Sequence, residues 1–158
     1  MGPFPHDAPP AKISTENPAG TDGFEFVEFA HPEPEALRTL FEQMGFAVVA
    51  RHKSRAIDLY RQGGVNYILN GDRTSFGGRF VDLHGPCAPA MAWRVVDAKH
   101  AFAYARERGA KPYVGENGAK TIDAPAILGI GGSLIYFIDT FGAKGSPYEA
   151  EFDWVGER

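Results

Sequence analysis

Two stretches of the chain run on one plan of apolar and polar positions. Residues 24–30 alternate, with Phe24, Phe26 and Glu28 on one side and Glu25, Val27 and Phe29 on the other, which is the period of a strand. His31-Pro-Glu-Pro34 breaks that strand and opens a helix, because proline is tolerated in a first turn and acids suit that end of the helix dipole. Leu37, Leu40, Phe41 and Met44 then fall at i, i+3, i+4 and i+7, one apolar stripe, and Gly45 is a good C-terminal stop. Short strands are expected at 46–50, 56–61 and 65–70, with Gly63-Gly64 as a tight turn between the last two.

The plan restarts at Ala90. Met91, Trp93 and Val95 share one face of a strand, and Ala92, Arg94 and Val96 the other. Asp97 is a plausible N-cap for a helix over 98–108, which carries Ala101, Phe102 and Ala105 on one side and closes at Gly109. A short run near 112–114, a turn at 115–118, a weak strand near 121–126 and a strong one at 133–138 complete a second β-α-β-β-β unit. Between the units, 70–89 is rich in Gly, Asp, Ser and Pro; Phe76, Phe80 and Leu83 predict a short helix there, since a connection of this length seldom lacks structure. The expected fold class is α+β: two βαβββ modules with curved mixed sheets and helices outside. The expected divisions are a flexible leader at 1–18 and one domain at 19–158. That domain comprises module 1 at 19–72, a connection at 73–89, module 2 at 90–145 and a tail at 146–158.

Composition narrows the class. With 158 residues, 44% apolar and 13% aromatic, the chain can bury a core, and its net charge of −4 argues against general affinity for nucleic acid or anionic membranes. The basic run at 51–55 lies between two strands and reads as a solvated hairpin turn. Cys87 is the lone cysteine, so an internal disulfide and a thiolate zinc site are excluded. The longest uncharged apolar run is broken by Gly129, Gly131 and Gly132 and falls short of the roughly 20 residues a membrane span needs. A cytoplasmic location is expected, and the N-terminus lacks the regions of a signal peptide.

Candidate chemistry is sparse. No serine sits in a Gly-x-Ser-x-Gly elbow, and Gly129-Ile-Gly-Gly-Ser133 introduces a strand where a phosphate loop would open a helix. His6, His31, His52, His84 and His100 show no metal-binding spacing and lie outside every predicted strand, so exposed or capping roles are expected. Glu25 and Glu28 fall on opposite faces and so cannot form one acid/base pair. Glu28 shares its face with Phe24 and Phe26. Burial there would raise its pKa, as suits a base, but an internal carboxylate bonded to a neighbour, or paired with Arg94 or Arg61, is the favoured reading.

Several segments, in order, resemble bacterial 4-hydroxyphenylpyruvate dioxygenase. They are Asn17-Pro-Ala-Gly-Thr-Asp-Gly-Phe-Glu-Phe-Val-Glu-Phe29, Met44-Gly-Phe, Leu59-Tyr-Arg-Gln62, Val65-Asn-Tyr-Ile-Leu-Asn70, Ser75-Phe76, His84-Gly-Pro86, Ala90-Met-Ala-Trp-Arg-Val95, Gly109-Ala-Lys-Pro112 and Ile130-Gly-Gly-Ser-Leu-Ile-Tyr136. The resemblance implies the vicinal-oxygen-chelate (glyoxalase/dihydroxybiphenyl dioxygenase-like) fold. It also implies an enzyme that uses Fe(II) and O₂ to turn 4-hydroxyphenylpyruvate into homogentisate in tyrosine breakdown. It covers the N-terminal half alone, while the iron ligands belong to the C-terminal half. No catalytic, cofactor or metal residue is therefore assigned here, and Fe(II) is implied only for that other half. By the family's internal symmetry the ligand positions fall on Glu28, Met91 and Tyr136, with Phe26, Trp93 and Leu134 as neighbours, which describes a filled apolar cup. The expected role is structural: packing against the catalytic half or a homo-oligomer, without activity alone. Alternatives are a free-standing protein that binds a small aromatic ligand, and a glyoxalase-like metalloenzyme.

Overall fold

The computed structural model describes residues 9–156 and places both halves in one eight-stranded sheet. The first half supplies β1 (Thr21–Ala30), α1 (Pro34–Gln43), β2 (Ala47–His52), β3 (Ile57–Gln62) and β4 (Val65–Asn70). The connection holds α2 (Phe76–His84), and the second half supplies β5 (Cys87–Val95), α3 (Ala98–Glu107), β6 (Ala126–Leu128) and β7 (Leu134–Ile138). A further strand, β8 (Phe152–Trp154), closes one edge of the order β6-β7-β5-β1-β4-β3-β2-β8. β1 runs parallel to β4 and β5 parallel to β7. The two copies meet at the centre of the sheet, where β1 and β5 are antiparallel and Val27 pairs with Met91. This is the vicinal-oxygen-chelate arrangement of curved mixed sheet with outer helices.

Helices α1 and α3 cover one face. Phe41 of α1 packs its ring against Phe29, Tyr60 and Tyr67, at centroid distances of 5.4, 5.3 and 5.2 Å. Asp97 caps α3 as its sequence predicts, its Oδ1 accepting from the His100 N–H at 2.9 Å. Ala98 and Ala101 then let α3 approach Val95, Ile127 and Phe137 closely. The opposite face carries the largest core cluster, with Phe26, Ile68, Ala90, Ala92, Leu134 and Tyr136. Helix α2 lies on this second face, Phe76 being one of the cluster.

Four expectations change. The alternation in β1 is interrupted by register shifts around Phe24 and Phe26, so Glu25 and Phe26 both turn to the α2 face while the Phe24 ring packs tilted against Trp93, centroids 4.3 Å apart. Glu25 and Glu28 therefore share a face. Met91 points away from the cup. It is 37% exposed and lies beside Trp93 and Val95 on the α3 face, whereas Ala90 and Ala92 face inward. The run at 112–114 makes a single bridge, Pro112 to Ile127, since proline has no N–H for a ladder, and the strand expected at 121–126 begins only at Ala126. Finally, the expected tail is part of the core: Tyr148 and Phe152 are fully buried, and β8 pairs with β2.

Of the expected leader, residues 1–8 lie outside the described residues. Beyond them the chain turns at Asn17, whose Oδ1 accepts from the N–H and hydroxyl of Thr21 at 2.9 and 3.0 Å. No helix among the described residues is long and apolar enough to cross a membrane.

Candidate functional site

The concave face is where this fold could hold a ligand, and Glu28 stands in it. β1 delivers Glu28 inward, 1% exposed, between β4 and β5. Its Oε1 accepts from Asn70 Nδ2 at 2.7 Å. The same amide reaches Ser75 Oγ at 3.0 Å and Thr121 Oγ1 at 3.4 Å. The Thr121 N–H donates to the Tyr136 hydroxyl at 3.1 Å, which joins the network to β7. Among the described residues Glu28 Oε2 is buried without a hydrogen-bond partner. Burial pushes the Glu28 carboxyl up, against the opposing pull of Asn70, Thr121 and the Arg55 charge. Burial, and then the charge of Glu28, also hold the Tyr136 phenol well above its ordinary range.

Glu25 has a different environment. Arg94 Nε donates to its Oε2 at 2.5 Å, and the Tyr148 hydroxyl and Asn66 Nδ2 donate to its Oε1 at 2.9 and 3.2 Å. Arg94 is therefore the partner of Glu25, and Arg61 binds Asn66 rather than either acid. This part-buried ion pair ties β1 to β5, and Tyr148 brings in the C-terminal segment.

Helix α2 fills the cup. Ser75 caps it, accepting from the Gly78 N–H at 3.1 Å, so that Gly77 lies directly over the Glu28–Asn70 pair. A Cβ on Gly77 would stand 2.6 Å from Glu28 Oε1 and 2.8 Å from Asn70 Nδ2, so any larger residue would have to push these two buried side chains aside. Clefts of about 590 and 560 Å³ open elsewhere, one beside Arg79 and Lys120 and one beside Arg38 and Asp58; neither is lined by Glu28 or Tyr136.

The residues of the cup do not fit an Fe(II) centre. Glu28 is engaged with Asn70 beneath α2, Ala90 stands inward where Met91 was expected and offers no donor atom, and the Tyr136 phenol is held protonated against Thr121. Among the described residues no three His, Cys, Asp or Glu side chains gather as a metal site.

The histidines are dispersed, and His6 lies outside the described residues. His31 Nδ1 accepts from the Glu33 N–H at 2.8 Å, His84 ends α2 against Phe80, and His100 Nε2 contacts the Pro18 carbonyl at 2.8 Å. His52 departs from expectation: it is the last residue of β2, with its side chain only 6% exposed. Cys87 is half-buried at the start of β5, and burial together with Glu28 raises its thiol. The glycine run 129–132 forms the expected tight turn into β7. Asn70, Gly77, Thr121 and Tyr148 carry the polar interior, and sequence reasoning missed all four. The signal that could have found them is the spacing of Asn66 and Asn70, which puts two amides on one face of β4.

The family model for the N-terminal domain of hydroxyphenylpyruvate dioxygenase matches residues 15–153. The chain belongs to this family. A 4-hydroxyphenylpyruvate dioxygenase of Pseudomonas sp. (strain P.J. 874) is 47% identical over 137 residues, 87% of this chain and 38% of the relative. A 3-dehydroshikimate dehydratase of Pseudomonas aeruginosa is 37% identical over 133 residues, 83% of this chain and 21% of the relative. Among solved structures, a fusion of a xylose isomerase-like TIM barrel with 4-hydroxyphenylpyruvate dioxygenase superposes with a TM-score of 0.76 at 32% identity, over 92% of this chain and 22% of that one. Methylmalonyl-CoA epimerase from Mycobacterium tuberculosis shares the fold alone, with a TM-score of 0.60 at 19% identity, over 88% of this chain and 96% of its own. The chain thus spans about two fifths of the length of the dioxygenase relatives it matches.

Proposed function

We propose that this hydroxyphenylpyruvate dioxygenase N-terminal domain serves as the non-catalytic half of an enzyme that turns 4-hydroxyphenylpyruvate and O₂ into homogentisate in tyrosine breakdown. Its role is to pack against a C-terminal half that carries the Fe(II) chemistry and to help subunits associate. Alone it performs no oxidation.

The observation that carries this reading is α2 seated in the cup, with Gly77 closed over Glu28 and Asn70. A catalytic or ligand-binding module of this fold needs that concave face open, and here it is core. The same plug counts against a free-standing protein that captures an aromatic acid in the cup. The test is to load the purified chain with Fe(II) under anaerobic conditions, remove free metal, measure bound iron and follow oxygen uptake with 4-hydroxyphenylpyruvate. Background iron and no keto-acid-dependent uptake are expected. One equivalent of tightly held iron, or turnover, would overturn the proposal.

A further inference from the structure

At the end of β2, three segments distant in sequence converge on His52, whose side chain is only 6% exposed. Its ring stands edge-on to Phe152 at 5.1 Å. Nδ1 faces the backbone N–H of Ser54 at 3.2 Å, and Nε2 faces Arg55 Nε and Nη2 at 3.1 and 2.8 Å. Both ring nitrogens thus point at donors, and Arg55 carries its charge at every relevant pH. A neutral ring satisfies one of these donors with its lone pair. An imidazolium, with N–H on both nitrogens, satisfies neither and sets a second cation against the guanidinium.

Arg55 holds more than the ring. Its Nη1 and Nη2 donate to the carbonyls of Lys120 and Thr121 at 2.9 and 3.0 Å. Glu151 Oε2 lies 3.5 Å from both His52 Nε2 and Arg55 Nη2, while its Oε1 accepts from the Asp123 N–H at 2.8 Å. Lys53 adds its own N–H to the Glu151 carbonyl and its ammonium to the carbonyls of Glu149 and Ala150. The charged groups around the ring are therefore Arg55 on its own turn, Glu151 on the C-terminal segment and Asp72 after β4; Lys53 is spent on carbonyls, and Arg51 faces Asp58 at 3.6 Å.

We propose that His52, Arg55 and Glu151 form a pH-operated clamp. Neutral His52 keeps Arg55 on the 120–121 carbonyls; protonated His52 takes Glu151 Oε2 for its new N–H, drives Arg55 off and frees the 120–123 loop, while Lys53 and the β2–β8 pairing keep the 149–154 segment in place. Burial, then the Arg55 charge, hold this histidine below its ordinary range, so the clamp is closed at neutral pH. The folded state prefers the neutral ring, so the stabilisation is complete above the unfolded histidine pKa of about 6.5 and is lost as pH falls below it.

The test is amide hydrogen exchange on the whole chain at about pH 7 and about pH 5, corrected for intrinsic rates, with the ring of His52 titrated by NMR. Protection at Thr121 and Asp123 is expected to fall several-fold more than in β4, while Lys53 and 152–154 change no more than β4 does. His52→Gln keeps an acceptor for Arg55 but cannot titrate, so in that variant the loop's protection should change with pH no more than that of β4. Glu28→Gln should leave the effect in place. A uniform loss across the sheet, an unaltered pH response in His52→Gln, or a His52 ring titrating at or above about 6.5 would each overturn the clamp. If His52→Gln does not fold, the titration and the wild-type exchange pattern decide.

Discussion

Replacing Glu28 by Gln should stabilise the protein, and by an amount that grows with pH. The side chain is 1% exposed and accepts from Asn70 at 2.7 Å, and among the described residues its Oε2 has no hydrogen-bond partner. When ionised, it leaves charge on an oxygen that nothing solvates, and an unsatisfied buried polar group costs about 1–3 kcal/mol. Gln keeps the shape and the carbonyl that accepts from Asn70, and removes the charge. Because the folded state holds the Glu28 carboxyl above its ordinary value, the wild type loses stability as pH rises from about 4.3, where the unfolded chain releases that proton. The loss ends once pH passes the raised folded value. The variant lacks this loss, so the two should melt together near pH 4 and separate by about 1–3 kcal/mol near pH 8, or about 2–12 °C for a chain of this size. Thermal and urea unfolding across that range measure the gap. A gap independent of pH, or a variant less stable than wild type near pH 8, would refute the reasoning and mean that Glu28 is solvated or paired.

Two further substitutions test the interior. Gly77→Ala should cost roughly 1–3 kcal/mol in urea unfolding, because its Cβ would stand 2.6 Å from Glu28 Oε1 in a packed site. Arg94→Met should cost roughly 2–4 kcal/mol in urea unfolding near pH 7, less than a fully buried pair since a third of Arg94 is exposed, because it strands the Glu25 carboxylate. An Arg94→Met variant with wild-type stability would show that Tyr148 and Asn66 suffice for Glu25.

The repeat, the order of elements and the helix ends were legible because they are local. Asp97 capped, Gly45 stopped, and the stripe of Leu37, Leu40, Phe41 and Met44 gave a helix where its period said, with Phe41 buried but Leu40 and Met44 left exposed. The interior was less so. Alternation correctly grouped Met91 with Trp93 and Val95, yet it carries no label for which face is the cup, and the cup side belongs to Ala90 and Ala92. The irregular pairing around Phe24 reversed the relation of Glu25 to Glu28, and such a bulge depends on the partner strand. Three-residue β8 exists only because β2 and the pocket for Phe152 are already in place. Gly77 and Gly78 read as loop composition; instead the bareness of Gly77 lets α2 lie on the Glu28 and Asn70 side chains, and that of Gly78 lets it pass the backbone of Asp72 and Arg73.

The polypeptide that joins the repeats is also the piece buried between them. α2 rests on Glu28 and Asn70 from the first repeat, and its Phe76 N–H donates to the Ala119 carbonyl of the second at 3.0 Å. Two repeats that share a sheet through β1 and β5 would otherwise be suited to trading partners between chains, each first half pairing with a second half from its neighbour. Here such an exchange requires drawing the joining helix out of two interiors at once. The connector acts as a lock against domain swapping, so each chain is directed to fold upon itself.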